Sequence, residues 1–179
     1  MKREPLRERV MVVYESMFGN TEAIARSISD GVASRGATVI VHDVESAPDD
    51  IDHVDTLIVG APTHAFGMSR PGTRQAARAQ GALGPADHGV REWLSRLERP
   101  SRPIAAACFD TRVRKPLLFG SAARGIRRRL RRLGFDVVKP VSFTVTDTPG
   151  PLAQGELERA RDWGASLVAT TVGTAGVRR

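Results

Sequence analysis

Val10-Met11-Val12-Val13-Tyr14-Glu15-Ser16-Met17-Phe18-Gly19-Asn20-Thr21-Glu22 decides how this chain folds. Its first five residues are an apolar, β-branched run of strand length; Ile24, Ile28 and Val32 then recur every fourth residue, as on the buried face of a helix. The turn between strand and helix carries one glycine, several hydroxyl and amide side chains, and the N–H groups that a helix leaves unpaired at its start. Those amides lie at the positive end of the helix dipole, so the turn can cradle a phosphate. Gly19 lets the backbone approach closely, while Ser16, Asn20 and Thr21 can donate without adding charge. The turn contains no lysine, which separates it from a triphosphate-binding loop.

The alternation continues outward from this stretch. Gly36 stops the first helix, and Thr38 to His42 reads as a second strand, Thr56 to Gly60 as a third and Ile104 to Phe109 as a fourth. Val137 to Val145 reads as a fifth strand, interrupted at Pro140. Helices are expected from Thr73 to Gln80, from Val90 to Leu97, through the arginine-rich stretch, and from Glu156 to Val172. Continuous apolar strands alternating with helices predict an α/β domain: a doubly wound, five-stranded parallel sheet in three layers, α/β/α. Ligands of such sheets bind beyond the carboxyl ends of the strands, so the loops after strands one, three and four belong to one site.

The 179 residues suit one domain, read here as residues 10–173 between charged tails at 1–9 and 174–179. The first nine residues lack the apolar stretch of a signal peptide, and no run approaches the length of a membrane span. A lone cysteine, Cys108, excludes an internal disulfide and fits a reducing, cytoplasmic setting. The net charge is +7, and its densest patch is Arg124, Arg127, Arg128, Arg129, Arg131 and Arg132, interleaved with Ile126, Leu130 and Leu133 at helical spacing. This reads as an amphipathic helix with a charged outer face; without interleaved aromatics or a recognition motif it does not specify nucleic-acid binding.

Taken together the loops resemble those of the flavodoxin-like family, over roughly residues 10–172. Ser16-Met17-Phe18-Gly19-Asn20-Thr21 is similar to the family's phosphate loop, with Phe18 where flavodoxins usually place threonine, as in the related quinone reductases. Gly60-Ala61-Pro62-Thr63-His64-Ala65-Phe66-Gly67-Met68 resembles the segment of those NAD(P)H:quinone reductases that wraps the flavin ring. The resemblance implies strand order 2-1-3-4-5 and an FMN site. Its phosphate would sit on Ser16, Met17, Phe18, Gly19, Asn20 and Thr21, and its ring between Pro62, Thr63, His64, Phe66 and Gly67 on one side and Phe109, Asp110, Thr111 and Arg112 on the other. In this scheme Asp110 or Thr111 meets the ring's polar edge, Arg112 stabilises a reduced, anionic flavin, and Phe109 either stacks on the ring or ends its strand in the core. His64 either relays a proton or rims the pocket. The ring contacts do not separate FMN from a deazaflavin.

The implied function is electron transfer, with a redox partner protein or a small-molecule acceptor. The alternative is an NAD(P)H-dependent quinone reductase, and a homo-oligomer is compatible with either. Flavodoxin carriers are acidic as a class, and +7 departs from that. The long insertion through which quinone reductases form tetramers is not evident, nor is a nicotinamide-binding motif. Other classes fit less well. Cys108 and Arg114 have the Cys-x5-Arg spacing of cysteine phosphatases, but Lys115-Pro116 follows where that loop needs a helix. Gly-x-Gly-x-x-Gly is missing after the first strand, and the third strand ends in Gly60-Ala61-Pro62-Thr63 rather than the aspartate of a phosphoreceiver domain. His42, His53 and His88 have no partners at metal-ligand spacing, and Asp49, Asp50, Asp52 and Asp55 read as a solvated acidic turn.

Overall fold

The computed structural model describes residues 7–113 and 120–174. Its elements run β1 (Arg9–Tyr14), α1 (Asn20–Ala33), β2 (Thr38–Asp43), β3 (Thr56–His64), β4 (Gly67–Met68), α2 (Pro71–Ala79), α3 (Val90–Arg96), β5 (Ala105–Val113), α4 (Ala122–Arg132), β6 (Asp136–Val137), β7 (Val141–Val145) and α5 (Glu156–Thr174). The long strands are parallel in the order β2-β1-β3-β5, followed by an edge made of β6 and β7. That edge is one strand in two pieces: β6 pairs with Ala105 and Ala106, and β7 with Phe109 to Val113. The break falls at Val138–Pro140, where proline removes a ladder donor. The expected order 2-1-3-4-5 is therefore the observed one, with β4 an addition that pairs antiparallel with the end of β3.

Alternate residues of each central strand feed opposite cores, as a sheet covered on both faces requires. Met11, Val13, Leu57, Val59, Ala106 and Cys108 pack beneath α3 and α4, where Val90, Trp93, Leu94, Ile126 and Leu130 are buried. Val10, Val12, Tyr14, Ile58, Ala107 and Phe109 pack beneath α1 and α5, with Ile24, Ile28, Val32 and Ala160. α1 and α5 cross closely because glycines stand at the crossing: a Cβ on Gly31 would lie 1.9 Å from the Arg161 carbonyl oxygen, and one on Gly164 would lie 2.2 Å from that of Ile28.

β3 and β5 run four residues past their expected ends. Ala61 pairs with Asp110 and Pro62 with Thr111, which keeps both strands extended beyond the end of β1. Pro62 is tolerated there because β3 has no β1 neighbour left to receive a donor. The acidic turn is not simply solvated. Asp49 pairs with Arg96 at 3.1 Å, Asp52 accepts from the Ser101 amide at 3.1 Å, and Asp55 bridges Arg9 and Arg102. No described helix is long and apolar enough to cross a membrane.

Candidate functional site

A cleft of about 360 Å³ opens at the carboxyl edge of the sheet. Its floor begins at the turn between β1 and α1. Gly19 takes a left-handed φ of 87° and starts α1 with no side-chain cap, so the first amides of the helix lack a capping partner. The Gly19 amide itself donates to Ser16 Oγ at 3.1 Å, which closes the turn. Two side chains tie the turn to its surroundings. Thr21 Oγ1 lies 2.7 Å from Thr111 Oγ1 in a buried hydroxyl pair, and Asn20 Nδ2 donates to the Pro149 carbonyl at 2.6 Å. Phe18 packs on the small cluster of Met17, Ala77 and Ala82, joining the turn to α2.

One wall of the cleft is the β3–β4 hairpin. Thr63 pairs with Met68 and His64 with Gly67, leaving Ala65 and Phe66 as a two-residue turn with φ of 39° and 80°. Both residues carry a Cβ in the left-handed region, a strain of order 1–3 kcal/mol each that persists only where surrounding structure imposes it. The strand pairing imposes it on one side. On the other, Gly120 fits against Phe66 so closely that a Cβ would lie 2.2 Å from the Phe66 oxygen. The Phe66 side chain is left 62% exposed at the rim. His64 is half-buried, with Nδ1 3.3 Å from Thr73 Oγ1; burial, then the Arg74 guanidinium, hold its pKa below the ordinary value. The imidazole is therefore neutral at pH 7.

Thr63 links three elements, donating to Asp110 Oδ2 at 2.9 Å and accepting from the Ala122 amide at 2.9 Å. Asp110 itself is wholly buried and does not reach the cleft. Its Oδ2 also accepts from Ser121 Oγ at 2.5 Å and from the Ala123 amide at 3.0 Å, so it anchors the start of α4. Of the two residues expected at the ring's polar edge, Asp110 is the one turned away from the cleft: the N-terminal amide and hydroxyl donors of α4 draw its carboxylate inward. Of the two expectations for Phe109, the core position is the one it takes. Its ring makes edge contacts with Phe143 and Trp163, at centroid distances of 6.0 and 6.3 Å, and fills the space that a side chain on Gly60 would need. Thr111 and Arg112 do line the cleft, with Arg112 Nη1 donating to the Gly120 carbonyl at 3.1 Å.

Of the other expected residues, Met17, Phe18, Asn20, Thr21, Pro62, Thr63, His64 and Phe66 also line the cleft. Ser16 and Gly19 face a neighbouring depression on the far side of the turn, and Gly67 lies within the hairpin. Sequence reasoning missed the opposite wall, built by Thr73 and Ala76 of α2, by Gln80 just after it, and by Asp147, Thr148 and Pro149. It also missed what holds α2. The fully buried Arg74 donates to the Ala86 carbonyl (3.0 Å), Ser69 Oγ (2.8 Å) and the Asp87 carbonyl (3.0 Å), and pairs with Glu92 at 3.1 Å. Beside it lies buried Glu15, which accepts from Ser69 Oγ and from the Val90 amide at 2.8 Å. Burial raises the Glu15 pKa, against the opposing hydrogen bonds of Ser69 and Val90 and the charge of Arg74. A signal was present, because an arginine on the inner side of an amphipathic helix demands a buried counter-charge.

Cys108 is buried, its thiol donating to the Ala123 carbonyl at 3.3 Å and its pKa pushed up to about 12 by burial. No nucleophilic thiolate forms there at neutral pH, which removes the phosphatase reading. Arg114 lies outside the described residues. No group of three or more metal-ligating side chains occurs among the described residues.

The sequence model of the family described as Flavodoxin matches residues 12–163. An NAD(P)H dehydrogenase (quinone) of Azorhizobium caulinodans is 36% identical over 76 aligned residues, covering 31% of this chain and only 38% of that protein. Among solved structures, an archaeal flavodoxin superposes with a TM-score of 0.62 at 20% identity, covering 92% of this chain and 99% of its own. Oxidised flavodoxin 2 from Bacillus cereus superposes with a TM-score of 0.67 at 17% identity, covering 90% and 99%.

Proposed function

The chain belongs to the flavodoxin family, and on that premise we propose that its cleft binds FMN and that the protein carries electrons. The observation that supports this most is the uncapped start of α1, with its left-handed glycine, opening onto a cleft between a strained hairpin and the end of β5. A monophosphate needs what the turn offers: amides at a helix N-terminus and, lining the cleft, the neutral polar side chains of Asn20 and Thr21. A flat ring needs what the cleft offers, a slot of ligand size with apolar walls from Phe18, Pro62, Phe66 and Ala76.

When bound, FMN supplies the capacity to take up and release one or two electrons. This chain's residues set the conditions. The hairpin and α2 would flank a bound ring, and Arg112, fixed on the Gly120 carbonyl, would supply positive charge to the cleft in support of a reduced, anionic flavin. Thr111, held by Thr21, couples the phosphate turn to the ring slot, so the two ends of the cofactor are positioned together. No side chain is required as a nucleophile.

A second reading, an NAD(P)H-dependent reductase of quinones, is favoured by His64. A neutral imidazole on the cleft wall, its other nitrogen steadied by Thr73, can hold a proton close to a bound acceptor. Anaerobic mixing of the FMN-loaded protein with NADPH separates the readings. Electron carriage predicts bleaching of the visible band over minutes or longer; bleaching within milliseconds establishes the reductase and overturns carriage as the primary function.

A further inference from the structure

The outer face of α4 carries more positive charge than the fold requires. Arg124, Arg128, Arg131 and Arg132 are exposed and border one surface groove as a single stripe, with the half-buried Arg127 at its inner edge. None of the arginines of α4 forms an ion pair among the described residues, although Arg9, Arg26, Arg74, Arg96, Arg102 and Arg159 all do. Residues outside the described range contain a single acid, Glu4. The helix dipole favours Arg129, Arg131 and Arg132 in the last turn, but not Arg124, Arg127 and Arg128. Like-charge neighbours four residues apart, Arg124 with Arg128, Arg127 with Arg131 and Arg128 with Arg132, destabilise the helix. A cost without an internal return points to an external partner.

We infer that the arginine stripe of α4 is the docking surface for an acidic redox protein, an inference that rests on the electron-carrier reading above. The amino-terminal end of the stripe adjoins the site: α4 begins just after Gly120, which lines the cleft, and Gly120 is seated against Phe66. From Arg124 to Arg132 it extends about 12 Å along the helix. Phe66, exposed at the rim beside its N-terminal end, supplies an aromatic contact next to guanidinium groups, the pairing in which interfaces are enriched. A partner that engages the stripe at its Arg124 end and touches Phe66 sits beside the cleft. One electron then leaves this protein and enters the partner, so that one is oxidised and the other reduced by a single equivalent. An anionic membrane suits the stripe less well, because the apolar side of α4 (Ile126, Leu130) is consumed by the core and leaves nothing to insert. Nucleic acid suits it less well for want of stacking aromatics on the helix.

The test compares the wild type, R128E/R131E and, as an equal charge change on the opposite layer, R35E/R161E. Each is reduced and mixed with a plant-type [2Fe–2S] ferredoxin of net negative charge, with basic cytochrome c, and with neutral benzoquinone. Steering by complementary charge changes association rates by tenfold to a thousandfold. We expect R128E/R131E to lose at least about tenfold in rate toward ferredoxin at low salt and most of the salt dependence, with benzoquinone unchanged and R35E/R161E within about threefold of wild type. Equal losses in both double variants, or a ferredoxin rate indifferent to R128E/R131E, overturn the inference. So does loss of binding to anionic vesicles or RNA in R128E/R131E without loss toward ferredoxin. Calorimetric titration of the flavin-free chain with ferredoxin keeps docking separate from the cofactor: binding lost only in R128E/R131E supports the surface even if no flavin is bound, and absence of binding in the wild type refutes it.

Discussion

Arg74→Met tests how the cleft is held open. The substitution keeps the length of the side chain and removes a guanidinium that is fully buried and makes three hydrogen bonds of 2.8–3.0 Å besides its 3.1 Å pairing with Glu92. Without it the carbonyls of Ala86 and Asp87 lose their donors, and Glu15, equally buried, keeps only Ser69 and the Val90 amide against its charge. Breaking a buried charge pair from one side costs about 3–5 kcal/mol. In a chain of this size each kcal/mol lowers Tm by about 2–4 °C, so the expected fall is roughly 6–20 °C. Urea denaturation of R74M, E15Q and E15Q/R74M completes the cycle. If the cost lies in stranded charge, the double variant recovers at least about 1 kcal/mol relative to R74M. An R74M protein within about 1 kcal/mol of wild type, or a double variant no more stable than R74M, refutes the reasoning.

Asp110→Ala removes the acceptor shared by Thr63, Ser121 and the Ala123 amide, and is expected to cost about 2–4 kcal/mol in urea denaturation. Gly164→Ala drives a methyl into the Ile28 carbonyl at the crossing of α1 and α5; it should destabilise by about 1–3 kcal/mol, read from its denaturation midpoint. Stability against pH follows from two opposed groups of carboxylates. The Ser101 hydroxyl and amide lower Asp52; in Asp55 and Glu156 burial raises the pKa, but Arg9 with Arg102, and Arg159 with the Thr144 amide, outweigh it. Lowered pKa values give stability that is present above the unfolded values, 3.8 for Asp and 4.5 for Glu, and is lost as pH falls through the folded ones. Glu15, raised above 4.5, works in the other sense: its contribution is complete below that pH and is lost as pH rises through the folded value. The wild type should therefore lose stability relative to E15Q as pH rises above 4.5, and both should lose it as pH falls below 4.5.

The parts of this molecule that could be read from the chain are those fixed by near neighbours. The turn from Tyr14 to Asn20 is local: a strand, a left-handed glycine and a helix start follow from consecutive residues, and the helix face of Ile24, Ile28 and Val32 follows from its period. The broken edge strand at Pro140 follows from the same patterns, and the sheet order is the one the family resemblance implies. The hairpin at Ala65 and Phe66 was not legible, because neither residue favours positive φ and only the pairing of Thr63 with Met68 and the contact with Gly120 impose it. Asp110 looked like a site residue until Ser121 and Ala123 claimed its carboxylate. Arg74 on the inner side of α2 signals a buried counter-charge, but Glu15 lies far away in the chain and is joined to it through Ser69 in one buried volume, where no sequence period reaches.

The most direct measurement is the affinity of the purified, flavin-free chain for FMN and for riboflavin, followed by quenching of flavin fluorescence. The uncapped amides of α1 and the donors of Ser16 to Thr21 are assigned to the phosphate, and charge-assisted hydrogen bonds of this kind contribute about 1.5–3 kcal/mol each. FMN is therefore expected to bind stoichiometrically at micromolar concentrations, and riboflavin at least about a hundredfold more weakly. Equal affinity for the two flavins, or no binding of either, contradicts the assignment of this cleft.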